Sequence, residues 1–190
     1  MLKPAAAALA VLLCATASAR EVAGVNVPDT LELAGKKLQL NGAGLRKKSF
    51  AFVPVKVYVG ALYLEAPSAD AAAVVAADAP KAVRMVFMRS VTRSQFVDTL
   101  RDGFEANSPK EQVPSLVEKL KVIEPVVAAL KEGSVLLLTY LPGAGTTLAL
   151  EKGPSATVEG KEFADALFRN WLGKEPVQES LKEALLGKGE

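Results

Sequence analysis

Residues 41–65 read NGAGLRKKSFAFVPVKVYVGALYLE. From Phe50 to Leu64 the stretch is apolar in both parities. Phe50, Phe52, Tyr58, Leu62 and Leu64 fall on one face of an extended chain, and Val53, Val55, Val57, Val59 and Tyr63 on the other. A strand that is apolar on both faces is a central strand, covered on each side. Pro54 cannot donate to a ladder, so it predicts a bulge or bend near the strand's start. Asn41-Gly42 carries a turn signal, and Lys47-Lys48 reads as a solvated turn.

Working outward, Leu31-Glu32-Leu33 and Leu38-Gln39-Leu40 alternate apolar and polar residues with period two. Gly35-Lys36-Lys37 is the turn signal between them. Residues 22–64 therefore read as strands. Downstream, Ser68–Ala79 predicts a short helix with Asp70 near its start, and Ala82–Arg89 a strand. Thr92–Ala106 predicts a helix: Thr92 and Gln95 have capping-box spacing, and Phe96, Leu100 and Phe104 form its apolar face. Ser108-Pro109 predicts a further helix with Pro at its first position. Pro114 and Pro125 then divide the chain into two or three short helices up to Leu130, ended by Gly133. Ser134–Leu141 and Thr146–Leu150 read as strands joined by a Pro142-Gly143-Ala144-Gly145 turn. Lys161–Leu172 predicts a helix with Phe163, Leu167, Phe168 and Trp171 on one face, stopped by Gly173. Val177–Leu186 is the last helix. Residues 20–190 contain no repeat and no long linker. They read as one α+β domain with a largely antiparallel sheet covered by helices.

The composition excludes more than it suggests. The 190 residues carry 23 Lys plus Arg against 21 Asp plus Glu. That balance argues against a nucleic-acid-binding protein. Half of the residues are hydrophobic, which argues against disorder. There is no His, and Cys14 is the single thiol. Imidazole bases, His-containing triads, intrachain disulfides and His- or Cys-ligated metals are excluded. No metal or cofactor site is expected.

Residues 1–19, MLKPAAAALAVLLCATASA, read as a cleaved signal peptide. Lys3 is the positive n-region, and Ala17-Ser18-Ala19 is a small-residue cleavage site. The uncharged run is shorter than the ~20 residues of a spanning helix. Leu13 precedes Cys14 where a lipobox needs a small residue. Nothing later in the chain is long and apolar enough to span a bilayer. The mature protein, residues 20–190, is expected to be periplasmic or secreted.

Two nucleotide motifs are tested and fail. Asn41-Gly42-Ala43-Gly44 begins like a dinucleotide loop, but Lys47 stands at the third glycine position and a strand follows. Gly160-Lys161-Glu162 lacks the spacing and hydroxyl of a phosphate loop. No acidic cluster looks like a calcium loop.

Taken in order, several stretches resemble the chalcone isomerase family. Gly42-Ala43-Gly44-Leu45-Arg46 is similar to its glycine-rich segment followed by Arg. Ala61-Leu62-Tyr63-Leu64-Glu65 is similar to the Gly-Val-Tyr-Leu-Glu-like end of its long strand. Thr92–Asn107 resembles its Thr-Gly-x-x-Tyr-like helix, Gly133–Gly153 its hairpin, and Phe163–Gly173 a helix ending in Gly. The resemblance spans residues 22–187. It implies an open-faced β-sandwich, a large antiparallel sheet covered by helices, with a ligand cleft between the layers. The enzyme's substrate-binding Arg corresponds to Arg46. Its strand Thr is replaced by Tyr58, its helix Tyr by Phe96, and its helix Asn by Gly103. The ring-closing constellation is thus mostly absent. An Arg and a Tyr in an apolar cleft resemble the non-catalytic branch, which includes fatty-acid-binding proteins. By that resemblance the chain is an exported bacterial member of it.

The site expected on this basis comprises Arg46, Tyr58, Phe96, Leu100 and Tyr140, with Phe104 extending the apolar wall. Arg46 would bind a carboxylate through charge-assisted hydrogen bonds, and Tyr58 would donate one more. Plain structural roles stand beside each reading: a paired strand-end Arg, a core Tyr, a helix-core Phe. Arg84 and Arg89 read as structural or exposed, and Trp171 as core. Three functions follow. One is a binding module for a fatty acid or similar amphipathic anion. Another is an isomerase or intramolecular lyase using Arg46 and Tyr58. The third is a partner-binding protein with a collapsed cleft.

Overall fold

The computed structural model describes residues 19–50, 52–128 and 130–188. Of the leader read over residues 1–19, residues 1–18 lie outside the described residues and Ala19 begins the first strand. Ala19–Val22 (β1) and Val25–Pro28 (β2) form a small antiparallel hairpin. Thr30–Leu33 (β3), Lys36–Phe50 (β4), Val53–Leu64 (β5), Lys81–Phe87 (β6), Val135–Leu141 (β7), Gly145–Leu150 (β8) and Ser155–Val158 (β9) make one seven-stranded sheet. Every strand pairs antiparallel with its neighbour in sequence, so the sheet is an unbroken meander.

The helices are Ala71–Ala76 (α1), Arg93–Asn107 (α2), Val113–Ile123 (α3), Lys161–Leu172 (α4) and Glu179–Leu185 (α5), with a 3-10 turn over Glu124–Val127. Thr92 and Gln95 close the expected capping box at the start of α2. Such a cap contributes about 1 kcal/mol by satisfying donors that the first turn leaves unpaired. Asp70 caps α1 through the amides of Ala72 and Ala73, at 2.9 and 3.1 Å.

Two cores sandwich the sheet. The larger one joins Tyr58, Leu62, Val83 and Met85 of the central strands to Phe96, Leu100, Phe104, Phe163, Leu167 and Leu181 of the helices. On the opposite face Val59, Ala61 and Tyr63 of β5 pack with Val27 and Leu38 beneath the β1–β2 hairpin. Strand β5 is therefore central and covered on both sides, as its composition required.

Its outer half departs from the simple alternation. Arg46 pairs with Tyr58, but Lys47 pairs with Lys56, so Val57 is an extra residue. This bulge shifts the phase by one. Val55 and Val57 thus join the Tyr58 side of the sheet instead of the Val59 and Tyr63 side. The bulge lies at Val57 rather than at Pro54, which pairs with Ser49.

Other expectations are corrected too. Asn41-Gly42 is no turn: it lies inside β4, where a second bulge leaves Asn41 unpaired. The Asn41 side chain uses that freedom to bond the carbonyls of Ser68 and Leu185, at 3.0 and 2.7 Å. Lys47-Lys48 is also strand, and the true reversal comes between Phe50 and Val53. No helix starts at Pro109. Pro114 opens α3 and Pro125 opens the 3-10 turn, because the first helical positions need no amide proton. Strand β9, four residues on the sheet edge, escaped the sequence reading.

One buried charge organises the far end of the sheet. Lys81 is 1% exposed, and its Nζ donates to the carbonyls of Val74, Val75 and Ala77, at 2.8, 2.9 and 2.8 Å. All three ammonium protons are satisfied, and they cap the end of α1. Burial pushes Lys81 down to about 8, against the pull of Asp165.

Candidate ligand cleft

Beyond the β4–β5 bulge, Val55 and Val57 lie on the Tyr58 side of the sheet. A cleft of about 310 Å³ opens there, at the small end of the ~300–1,000 Å³ range of ligand sites. Val55 and Val57 of β5 and Phe87 of β6 form its sheet side; Phe96, Thr99 and Leu100 of α2 form its helix side. Tyr58, Phe87 and Phe96 make an aromatic row, with successive centroids 5.5 and 6.2 Å apart. Arg46, Lys48 and Arg89 are the charged residues on the lining, all cationic.

Arg46 and Tyr58 are direct cross-strand partners, so the sheet itself sets them side by side. The Arg46 guanidinium is steadied from two directions. Its Nη1 donates to Gln178 Oε1 at 3.2 Å and to the Lys47 carbonyl. Gln178 stands just before α5 and also ties down the strand. It accepts from the Lys47 amide at 2.8 Å and donates to the Leu45 carbonyl at 3.1 Å.

Trp171, on α4, donates its Nε1 proton to the Tyr58 hydroxyl at 2.8 Å. The Tyr58 oxygen is thus an acceptor toward the core, and among the described residues nothing accepts its own proton. That proton is the one remaining for a ligand beside Arg46. Burial pushes the phenol up from its ordinary value, further than the Trp171 hydrogen bond and Arg46 pull it back. It is a neutral donor, not a base.

The structure brings Arg46, Tyr58, Phe96 and Leu100 together around one cleft. Tyr140 does not join them. It pairs with Lys81 at the other end of β6 and β7, donates to Asp78 Oδ1 at 2.5 Å, and holds its ring over the Lys81 ammonium. Six residues of strand separate that position from Phe87, about 20 Å. Phe104 turns into the core and meets Phe163 edge-on at 6.0 Å. Gly103 faces Asn170 of α4, so the position that resembled the enzyme's Asn points between helices.

The sequence reading missed most of the lining, Arg89, Trp171, Gln95 and Thr99 included. Arg89 lies past the end of β6 and lines the cleft. Trp171 belongs to the site through Tyr58 rather than to the core alone. Gln95 and Thr99 share the lining face of α2 with Phe96; their one-turn spacing was the available signal. A wider groove of about 560 Å³ lies between α1 and the ends of α2 and α4, floored by small residues such as Ala72 and Ala76. It shares no residue with the Arg46–Tyr58 pair.

The chalcone isomerase-like family model matches residues 19–187. Among solved structures, a fatty-acid binding protein of Arabidopsis thaliana is similar, with a TM-score of 0.69 and 18% identity; the match covers 86% of this chain and 92% of that one. At that identity the likeness is one of fold. No curated protein matches the sequence.

Proposed function

The chain belongs to the chalcone isomerase-like family, and we propose that its cleft binds a fatty acid or similar amphipathic carboxylate without cyclising a flavonoid. The observation that carries this reading is the free Tyr58 proton beside the Arg46 guanidinium, on the lining of a largely apolar cleft. A carboxylate has two acceptor oxygens. The guanidinium fork and one phenol match them, and each buried methylene of the tail adds ~0.8 kcal/mol. The Arabidopsis thaliana structure of similar fold is that of a fatty-acid binding protein.

The isomerase alternative asks Tyr58 to trade protons near neutrality. Its burial raises the phenol's pKa, away from the range where proton transfer is efficient. The collapsed-cleft alternative sits poorly with the volume present. In our reading residues 1–19 are removed on export, and residues 20–190 act in the periplasm or outside the cell.

The test is mass spectrometry of small molecules released from the purified protein, with Arg46→Ala in parallel. A stoichiometric fatty acid in the parent protein is expected. In the variant, affinity falls about ten- to hundred-fold for the lost charged hydrogen bonds, and the lipid is depleted. Equal lipid in both proteins would remove Arg46 from the site.

A further inference from the structure

We propose that the tip of the β4–β5 hairpin docks onto an anionic lipid bilayer. Phe52 is fully exposed and Val53 is 60% exposed, and the third exposed large hydrophobic of the described residues, Val122, lies elsewhere. Two residues connect the strands after the Phe50–Val53 pair. Such turns favour Asn-Gly, yet Phe52 occupies one of these positions with a φ of 69°. A bulky aromatic in the left-handed region is a strained choice. The fold gains nothing from this ring, which touches solvent all round.

The charge around the tip selects the partner. Between Leu45 and Glu65 the chain carries four cationic residues, Arg46, Lys47, Lys48 and Lys56, and no acidic one. Lys47 and Lys56 are exposed and face each other as direct cross-strand neighbours, an arrangement that opposes sheet pairing. Lys48 is exposed on the next rung. Among the described residues none of these three lysines has an ion-pair partner. An apolar point set in a collar of lysines matches the interface of an anionic bilayer: the ring enters the acyl boundary while the ammonium groups stay at the headgroups. Lys48 and Val55 also line the cleft, so docking would turn its mouth toward the lipid. The proposal does not depend on what the cleft holds.

The experiment places an indole at the tip of the full chain with Phe52→Trp. Its emission is titrated with phosphatidylcholine vesicles, with and without phosphatidylglycerol, and the parent chain's Trp171 signal is subtracted. A blue shift and quenching by brominated acyl chains are expected on the mixed vesicles. The triple change Lys47→Ser, Lys48→Ser, Lys56→Ser should then weaken partitioning about hundred-fold, at roughly five-fold per lysine. The report is local to position 52, so a contribution of residues 1–18 to vesicle binding does not mimic it. An unshifted indole on anionic vesicles would overturn the proposal. So would a shift that grows with protein concentration without lipid, which would mark a contact between copies of the chain.

Discussion

Tyr58→Phe removes one oxygen, with two separable consequences. The first is structural. The Trp171 Nε1–H, whose nitrogen lies 2.8 Å from that oxygen on a residue 2% exposed, loses its acceptor. An orphaned buried donor costs about 1–3 kcal/mol. In a domain of this size that lowers the melting temperature by roughly 2–4 °C per kcal/mol. Trp171→Phe removes the donor instead, and the double variant removes both. The double-variant cycle should return a coupling of about 1 kcal/mol. The second consequence concerns the ligand. Tyr58→Phe deletes the proton offered to the carboxylate, so fatty-acid affinity should fall about ten- to hundred-fold. Trp171→Phe leaves that proton in place and should cost only a few-fold. Urea denaturation measures the cycle, and isothermal titration with hexadecanoate measures the affinities. Equal losses of affinity in the two single variants, or none in Tyr58→Phe, would refute the assignment of the phenol as ligand donor.

Two further predictions concern the scaffold. A Cβ at Gly103 would lie 1.8 Å from Asn170 Oδ1 and 2.5 Å from its Cγ, so Gly103→Ala should destabilise by about 1–3 kcal/mol despite the better helix propensity of Ala. Asn170→Ala in the same chain should recover much of the urea midpoint, and a stabilised single variant would contradict the packing. Alkaline stability should follow a rise and a fall. Native Lys81 releases its proton at about 8, below its unfolded value near 10.4; the unfolded chain then holds more protons, so stability rises with pH across that window. Burial raises the phenols of Tyr58, Tyr63 and Tyr140, the last two to about 12. Above the ordinary tyrosine value near 10, the unfolded chain holds fewer phenolic protons and stability falls. Urea midpoints across alkaline pH should show both limbs, and Lys81→Met should flatten the first alone.

The sequence disclosed the sheet better than its turns. Apolar residues in both parities of β5 marked it as central because periodicity reports burial directly. The reversal before Val53 was invisible because Phe52 occupies a position where turn chemistry asks for Gly or Asn. The bulge at Val57 was equally hidden: an inserted residue leaves an apolar run apolar while reversing its phase. Arg46 and Tyr58 were legible from the family's spacing, and the register makes them neighbours. Tyr140 was misplaced because a hairpin's composition does not say which end of it reaches the cleft. Trp171 and Gln178 were illegible as site residues, since their roles arise from contacts across 113 and 132 residues.

Those separations set the order in which the protein can acquire its site. Arg46 emerges from the ribosome long before Gln178, and Tyr58 long before Trp171. Until α4 and α5 have been made, the guanidinium lacks its Gln178 support and the phenol lacks its indole. Loop-closure entropy makes such distant contacts late events in folding as well. A nascent chain therefore carries half of the proposed site. Under the proposed function, a carboxylate met during synthesis would find an unsupported Arg and an open sheet, and selective capture would begin only after the last helices dock.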